Sequence, residues 1–369
     1  MDSKRYNNIK LGVGIGKGIL SFLLIFLFLK SGLSLGLENY LSGFISNRYL
    51  LFIAFAVTLS IAGSVLSFPV SYYTEFYLEH KFSLSNQTFR AWLWEGAKSA
   101  MVSGVIGIPL LFVFYYVLNR FGNLWWLPFA IILFLVSVVL ARIVPVLIMP
   151  LFYKITPLEN EDLKMRLERL ARDAGLKLKN VFKFDMSKNT RKANAAFTGM
   201  GKSKRILLGD TLLEGYSPDE IETVIAHELG HYKYKHIVIN IVVGTAFSFL
   251  TLYLLALLYR VSLPWFGFSS ITQISAVPII ILWGMVLGVI ETPLTSSLSR
   301  KHEYQADHYA VRATGKPEAF ISTLEKLNEQ NLGDKEPHPV VEWFFYSHPS
   351  IRKRISAIRK VSQDLKQGS

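Results

Sequence analysis

Six stretches of the chain stay apolar for the roughly 20 residues that a helix needs to cross a bilayer. They lie near 11–37, 50–72, 99–119, 124–147, 237–260 and 276–297. The first follows a basic start, MDSKRYNNIK. It runs longer than the core of a signal peptide and no small-x-small cleavage pattern follows, so it reads as a retained span. Between the fourth and fifth stretches the pattern becomes polar. There Leu163, Leu167, Leu170 and Ala174 recur at helical spacing, and Gly175 ends the run. Three strand-like pieces follow: VFKFDM (181–186), NAAFTGM (194–200) and RILLGDTLL (205–213). Then SPDE at 217–220 predicts a helix start, with Ser217 as N-cap, Pro218 at the first helical position and Glu220 closing a capping box. Residues 298–369 read as a polar, helical tail.

The pattern predicts a mainly α, polytopic membrane protein with a small β-sheet in its polar part. Four parts follow: 1–149 with four spans, 150–236 polar, 237–297 with two spans, and 298–369 as a C-terminal segment. Charges inside the spans are costly in lipid. Glu291 and Arg142 are expected to line a polar cavity or to pair. Lys17 and Lys30, a dozen residues apart, either reach for the two interfaces or flank such a cavity.

Composition agrees with this reading. Apolar residues make up 51% of the chain and charged residues 18%, and the mean hydropathy is +0.32. A soluble protein with that balance would expose large apolar patches. The formal charge of +13 does not point to nucleic acid, because many Lys and Arg flank apolar runs instead of gathering on one polar face. Six spans put the N-terminus, the 72–98 loop, the polar segment and the tail on one side. These regions hold most of the Lys and Arg, so they are expected to face the cytoplasm. There is no cysteine, which removes disulfides, thiolate metal sites and cysteine nucleophiles together.

The chemistry gathers in His227-Glu228-Leu229-Gly230-His231, within Val224–Ile237. Two histidines four apart share one helical face and can reach one ion. Glu228 stands beside them, placed to take a proton from a water on that ion. Zinc suits the pattern, since it accepts imidazole and carboxylate and keeps a position open for water. A third ligand is expected at Glu303, in RKHEYQADHYA (300–310). The fifth span begins about six residues after His231 and the sixth ends about six before Glu303. If both helices continue unbroken, each ligand group stands roughly 9 Å outside the same membrane face. Asp307, four residues on, would accept the outer N–H of a ligating histidine. His236 lies about 140° round the helix from His231, so it reads as a packed or interfacial side chain.

Taken together, these residues resemble the type I CaaX prenyl proteases, integral-membrane zinc metallopeptidases of the gluzincin group. The resemblance covers most of the chain from about residue 50. It includes YYTEFYLEHKFSLSNQT (72–88), PLFYKITPL (150–158), NAAFTGMGKSKRILLGDTLL (194–213) and IETVIAHELGHYKYKH (221–236). It continues through SRKHEYQADHYA (299–310), KLNEQNLG (326–333) and YSHPSIRKRI (346–355). The family implies one zinc ion on His227, His231 and Glu303, with Glu228 as general base. It also implies that His348 and Arg354 project into the site, to stabilise the oxyanion or anchor substrate. A strand opening at Asn194, with Ala195 and Ala196, would pair with the substrate backbone. Without the family, His348 before Pro349 reads as a turn residue, and Arg354 as part of a headgroup-facing basic helix.

Two departures stand out. Eukaryotic members have seven spans around an intramembrane chamber, against six here, and the family's NAYF pattern is NAAF in this chain. The expected function is a membrane zinc metalloendopeptidase acting on peptide or protein substrates, prenylated or membrane-associated. Its expected place is a bacterial inner membrane, equivalent to the endoplasmic reticulum membrane of eukaryotes. The alternatives are a quality-control protease with no prenyl requirement, and a transporter or lipid-binding scaffold. A transporter predicts inverted repeats, and none is visible in the sequence.

Overall fold

The computed structural model describes residues 2–176, 178, 180–198 and 204–367. Among the described residues six helical stretches are long and apolar enough to cross a membrane: Asp2–Lys30, Arg48–Lys81, Phe89–Leu124, Trp126–Phe152, His236–Phe266 and Ile274–Thr314. Helix α1 (Asp2–Lys30) is followed by a short α2 (Leu33–Ser42), then α3 (Arg48–Ser71). The loop expected over 72–98 is mostly helix. A π-helical turn, Tyr72–Tyr77, and α4 (Leu78–Lys81) extend α3, and α5 (Phe89–Phe121) begins soon after. A second π turn, Val144–Ile148, joins α6 (Trp126–Ile143) to α7 (Met149–Phe152). Pro69 lies just before the first and Pro145 within the second. A ring nitrogen cannot donate to the fourth carbonyl back, so the ladder can re-pair at longer spacing there.

The polar segment folds around a four-stranded sheet of order β1-β2-β4-β3. Its strands are β1 (Ile155–Pro157), β2 (Asn180–Phe184), β3 (Ala195–Thr198) and β4 (Arg205–Gly209). β2 and β4 run parallel; β1 on β2 and β3 on β4 are antiparallel. Two details differ from the sequence reading. β1 lies in PLFYKITPL, where no strand was expected, and β4, the strand expected over 205–213, stops at Gly209, where Asp210 starts α9 (Asp210–Gly215). Asp210 accepts from the backbone N–H groups of Ser187 and Thr211, which favours a turn into helix over further extension. The expected strand end at 199–200 lies outside the described residues.

Helix α8 (Glu161–Asp173) has its predicted apolar face, and Gly175, at φ +82°, leads the chain out of it. Helix α10 (Pro218–Lys233) carries the capping box as expected: Ser217 Oγ accepts from Glu220 N–H, and the Glu220 carboxylate accepts from Ser217 N–H. Then come α11 (His236–Ser262), α12 (Pro278–Thr314), α13 (Pro317–Gln330), α14 (Pro339–Phe345) and α15 (Ile351–Gln367). One apolar core joins the polar segment to the tail, with Leu167, Ile206, Ile225, Leu229, Phe320 and Ile358 all buried in it.

The expectation of one continuous helix from the HExxH motif into the bilayer is overturned. α10 ends at Lys233, Lys235 adopts φ +58°, and α11 starts afresh at His236. α12, by contrast, runs unbroken past residue 297 and carries Glu303 and Asp307 on its C-terminal half. α10 and α12 approach closely at Gly230. A Cβ there would meet the Ala306 Cα at 2.9 Å and the Ala306 carbonyl oxygen at 3.1 Å.

Among the span charges, Glu291 lines a cavity of about 580 Å³ with Asn240, Ser248 and Thr295, and accepts a hydrogen bond from Thr251. Arg142 is exposed elsewhere. Lys30 reaches the outer connection, donating to the Trp265 carbonyl. At the other end, buried Glu79 accepts from Tyr6 and pairs with Lys10 and Lys192. A bridge between Ser85 and Thr190 joins the same two regions. These contacts hold α1 and α4 against the segment that leads into β3.

Candidate metal centre and active site

The sharp capping of α10 sets the phase at which His227 and His231 leave the helix, and both present Nε2 to the same point. The two Nε2 atoms are 3.2 Å apart. Glu303, from α12, brings Oε2 to 3.4 Å of His227 Nε2 and Oε1 to 3.3 Å of His231 Nε2. These three side chains are the group that could hold a metal among the described residues, their ligand atoms all within 4.8 Å of one another. Bonds of roughly 2.0–2.1 Å to a tetrahedral zinc ion put neighbouring ligand atoms about 3.3–3.4 Å apart. Glu303 is buried, and its Oε2 has no hydrogen-bond partner. A carboxylate oxygen and two imidazole nitrogens facing one another without enough protons to pair them all is a donor set that fits a cation.

Behind the ligands stands a second layer. His227 Nδ1 lies 2.9 Å from Asp307 Oδ1, so with Nε2 turned to the metal point, Nδ1–H donates to the carboxylate. Arg354, on α15, donates from Nε to Asp307 Oδ2 at 2.8 Å and from an Nη to Oδ1 at 2.6 Å. Its other Nη is 3.5 Å from Glu303 Oε2. Arg354 therefore does enter the site region, but two of its nitrogens are occupied by Asp307. His231 Nδ1 faces a different partner, His236 Nδ1, at 3.0 Å. The break at Lys235 turns His236 back toward the centre. It is packed, as expected, but does not point away.

Glu228 and His348 flank one groove of about 420 Å³, together with Asn194, Ala195, His227 and Glu303. His348 Nε2 lies 3.4 Å from Glu303 Oε1, and its other ring nitrogen meets Ser347 Oγ at 2.9 Å. The groove floor is apolar, built by Leu212, Val224, Phe320, Leu324 and Leu327. Asn194 is exposed at the start of β3, with Ala195 and Ala196 opposite Leu208 and Leu207 of β4. β3 ends the strand order, so it is an edge of the described sheet.

Charge is arranged to suit a cation. Burial disfavours a charged ring at His227, but its hydrogen bond to Asp307 and the Glu303 carboxylate facing it outweigh this and raise its pKa to about 9. Burial would also lower the Arg354 pKa, yet the Asp307 carboxylate beside it raises it above its ordinary value. Crowding by protein atoms comes first at His348, and the positive Arg354 adds to it; together they hold that ring below its ordinary value despite Glu303.

The sequence reading missed Gly230, Gln305 and the contact made by His236. A glycine inside a helix costs about 1 kcal/mol against alanine and asks for a packing reason. That signal was available for Gly230. Gln305 carried none, because its partner depends on the break at Lys235.

Comparison with known proteins agrees with this geometry. Residues 157–362 match Peptidase family M48, and residues 1–154 match the CAAX prenyl protease N-terminal region, described as five membrane helices. Among the described residues four stretches of that region are long and apolar enough to span; α2 has ten residues. The chain is 35% identical to CAAX prenyl protease 1 of Saccharomyces cerevisiae over 334 residues, 85% of this chain and 73% of that protein. It is 30% identical to the uncharacterized metalloprotease YhfN of Bacillus subtilis over 328 residues, 85% and 74% of the two chains. The crystal structure of S. mikatae Ste24p shares the fold with a TM-score of 0.87 at 31% identity, over 97% of this chain and 88% of that one. The protein therefore belongs to Peptidase family M48, as a multi-pass membrane metalloprotease of the CAAX prenyl protease 1 type.

Proposed function

We propose that the protein is a zinc endopeptidase, with one ion per chain, working at the cytoplasmic face of a bacterial inner membrane. The observation that carries this reading is the convergence of His227, His231 and Glu303 on one point beside Glu228. Zinc, when bound, supplies Lewis acidity that makes hydroxide available near neutral pH and polarises a carbonyl. Glu228 takes the proton from the attacking water and later delivers it to the leaving amine. His348, whose ring pKa is held below its ordinary value, donates an N–H to the oxyanion. Arg354 acts through Asp307: the bidentate pair fixes the carboxylate that holds His227.

Substrate enters extended. Its backbone adds to the edge at Asn194, Ala195 and Ala196, and the apolar floor takes an aliphatic side chain. In the CaaX reading the substrate is a prenylated CaaX protein, as the name of the Saccharomyces cerevisiae relative suggests, and the product is its C-terminal tripeptide. A quality-control role without a prenyl group is the second reading. It is favoured by the small side chains of Ala195 and Ala196, which leave the strand edge open to varied peptides.

Purified protein should cleave peptide in a chelator-sensitive way and contain about one zinc per chain. Glu228→Gln should retain zinc and lose hydrolysis by about 100-fold or more, whereas His227→Ala should lose both. Normal cleavage by Glu228→Gln would reject the assignment. Farnesylated and unprenylated versions of one CaaX peptide separate the two substrate readings, since only the first reading requires the lipid.

A further inference from the structure

We infer that His236, Gln305 and His302 form a positioning relay for the zinc ligand His231, built by the helix break at Lys235. The inference rests on the zinc reading above and adds residues which that reading leaves idle. Four facts support it. His236 is almost fully buried, at 1% exposure. Its Nδ1 lies 3.0 Å from His231 Nδ1. Its Nε2 lies 2.8 Å from Gln305 Oε1. Its ring stacks on His302 with centroids 4.0 Å apart and planes 10° from parallel.

The protons in this chain can be assigned from one end. His231 turns Nε2 toward His227 Nε2 and Glu303, so its lone pair belongs to the ion and its proton sits on Nδ1. That N–H needs an acceptor, which makes His236 Nδ1 the lone-pair nitrogen. The His236 proton then lies on Nε2 and donates to Gln305 Oε1, an amide oxygen that can only accept. Every link has one donor and one acceptor. The two zinc histidines are thus held differently, His227 by the charged pair of Asp307 and Arg354, and His231 by a neutral imidazole.

The geometry depends on the broken helix. On a continuous helix the His236 ring would sit about 140° from His231. The left-handed residue Lys235, with φ +58°, swings it back, and Gln305 and His302 reach it from α12.

The test is zinc affinity in the full-length, detergent-purified protein, by competition with a chromophoric chelator. Peptide cleavage is not the readout. His236→Leu keeps the bulk and removes the acceptor, and should lower affinity about 10- to 100-fold. His236→Asn, whose Oδ1 can stand where Nδ1 was, should recover most of that loss. Gln305→Leu should lower affinity less, by a few-fold. The cobalt-substituted protein should show a shifted visible spectrum for His236→Leu and not for His236→Asn. A residue that only packs would lower thermal stability in both metal-free and loaded protein and leave these ratios alone. Unchanged affinity in His236→Leu, or equal losses in the Leu and Asn variants, would overturn the relay. If His236→Leu does not fold, Gln305→Leu decides: wild-type affinity there overturns it. His227→Ala runs beside them. If the wild type binds no zinc, the zinc reading itself falls, and that result is distinct from failure of the relay alone.

Discussion

At the scale of the residue, the site is a competition between protons and a cation. His227 has its pKa raised to about 9 by Asp307 and Glu303 against the opposing effect of burial. A raised pKa means that the metal-free protein holds a proton on His227 throughout neutral pH, and the incoming ion must displace it. The sign follows directly. Zinc affinity should rise with pH through the neutral range, by roughly tenfold per unit, and level off above about pH 9. Chelator competition at pH 6, 7, 8 and 9 measures this, and a flat profile would show that the metal-free protein holds no proton on His227 across this range. Among the described residues the two Nδ1 atoms differ: that of His227 faces the Asp307 carboxylate, and that of His231 faces the His236 ring. His231 relies on an uncharged neighbour, and Arg354 is kept for neutralising Asp307.

At the scale of the element, the site depends on where two helices cross and where one of them stops. α10 and α12 meet at Gly230 with no room for a side chain, since a Cβ would press on the backbone of Ala306 at 2.9 and 3.1 Å. Backbone cannot rotate out of the way, so the helices themselves must part. Gly230→Ala should therefore cost about 1–3 kcal/mol of stability through overpacking. It should also weaken metal binding, because His227 and His231 would separate from Glu303. Thermal unfolding and chelator competition test both effects. An alanine variant with wild-type stability and affinity would mean that the crossing is looser than the structure shows. The same reasoning explains why an HExxH motif alone is incomplete: the carboxylate that faces it, Glu303, arrives on α12, 72 residues beyond His231 in sequence, and the crossing brings them together.

At the scale of the whole molecule, an even number of spans places the peptidase segment and the tail on one side, and they share one core. The outer connection between α11 and α12 lies on the other. The chain has no cysteine, so single introduced thiols report topology without background. A cysteine replacing exposed Glu214 should label from one side only of oriented vesicles. One replacing exposed Ser269 should label only from the opposite side. Labelling of both from one side would reject the six-span topology. The contacts of Glu79 with Lys10, Tyr6 and Lys192 further show that the first helix is fastened to the region entering β3. The membrane part is thereby joined to the β3 edge of the sheet as well as carrying it.

Much of this was readable from the sequence, for physical reasons that are local. Bilayer thickness dictates span length, so the six spans could be counted. The i, i+4 spacing places His227 with His231 and Glu303 with Asp307 on helix faces, and the capping box marks where α10 must begin. What only the tertiary structure decided involves partners distant in sequence or conformations with no sequence signature. Lys235 is no usual occupant of a left-handed turn, so the break that returns His236 to His231 had to be seen. The short strand β1 exists only because β2 supplies its hydrogen bonds. Arg354 reads as a surface charge until α15 packs beside α12 and commits it to Asp307. Covalent spacing determined which residues could ligate; the crossing of α10 over α12, and the turn after it, decided what supports them.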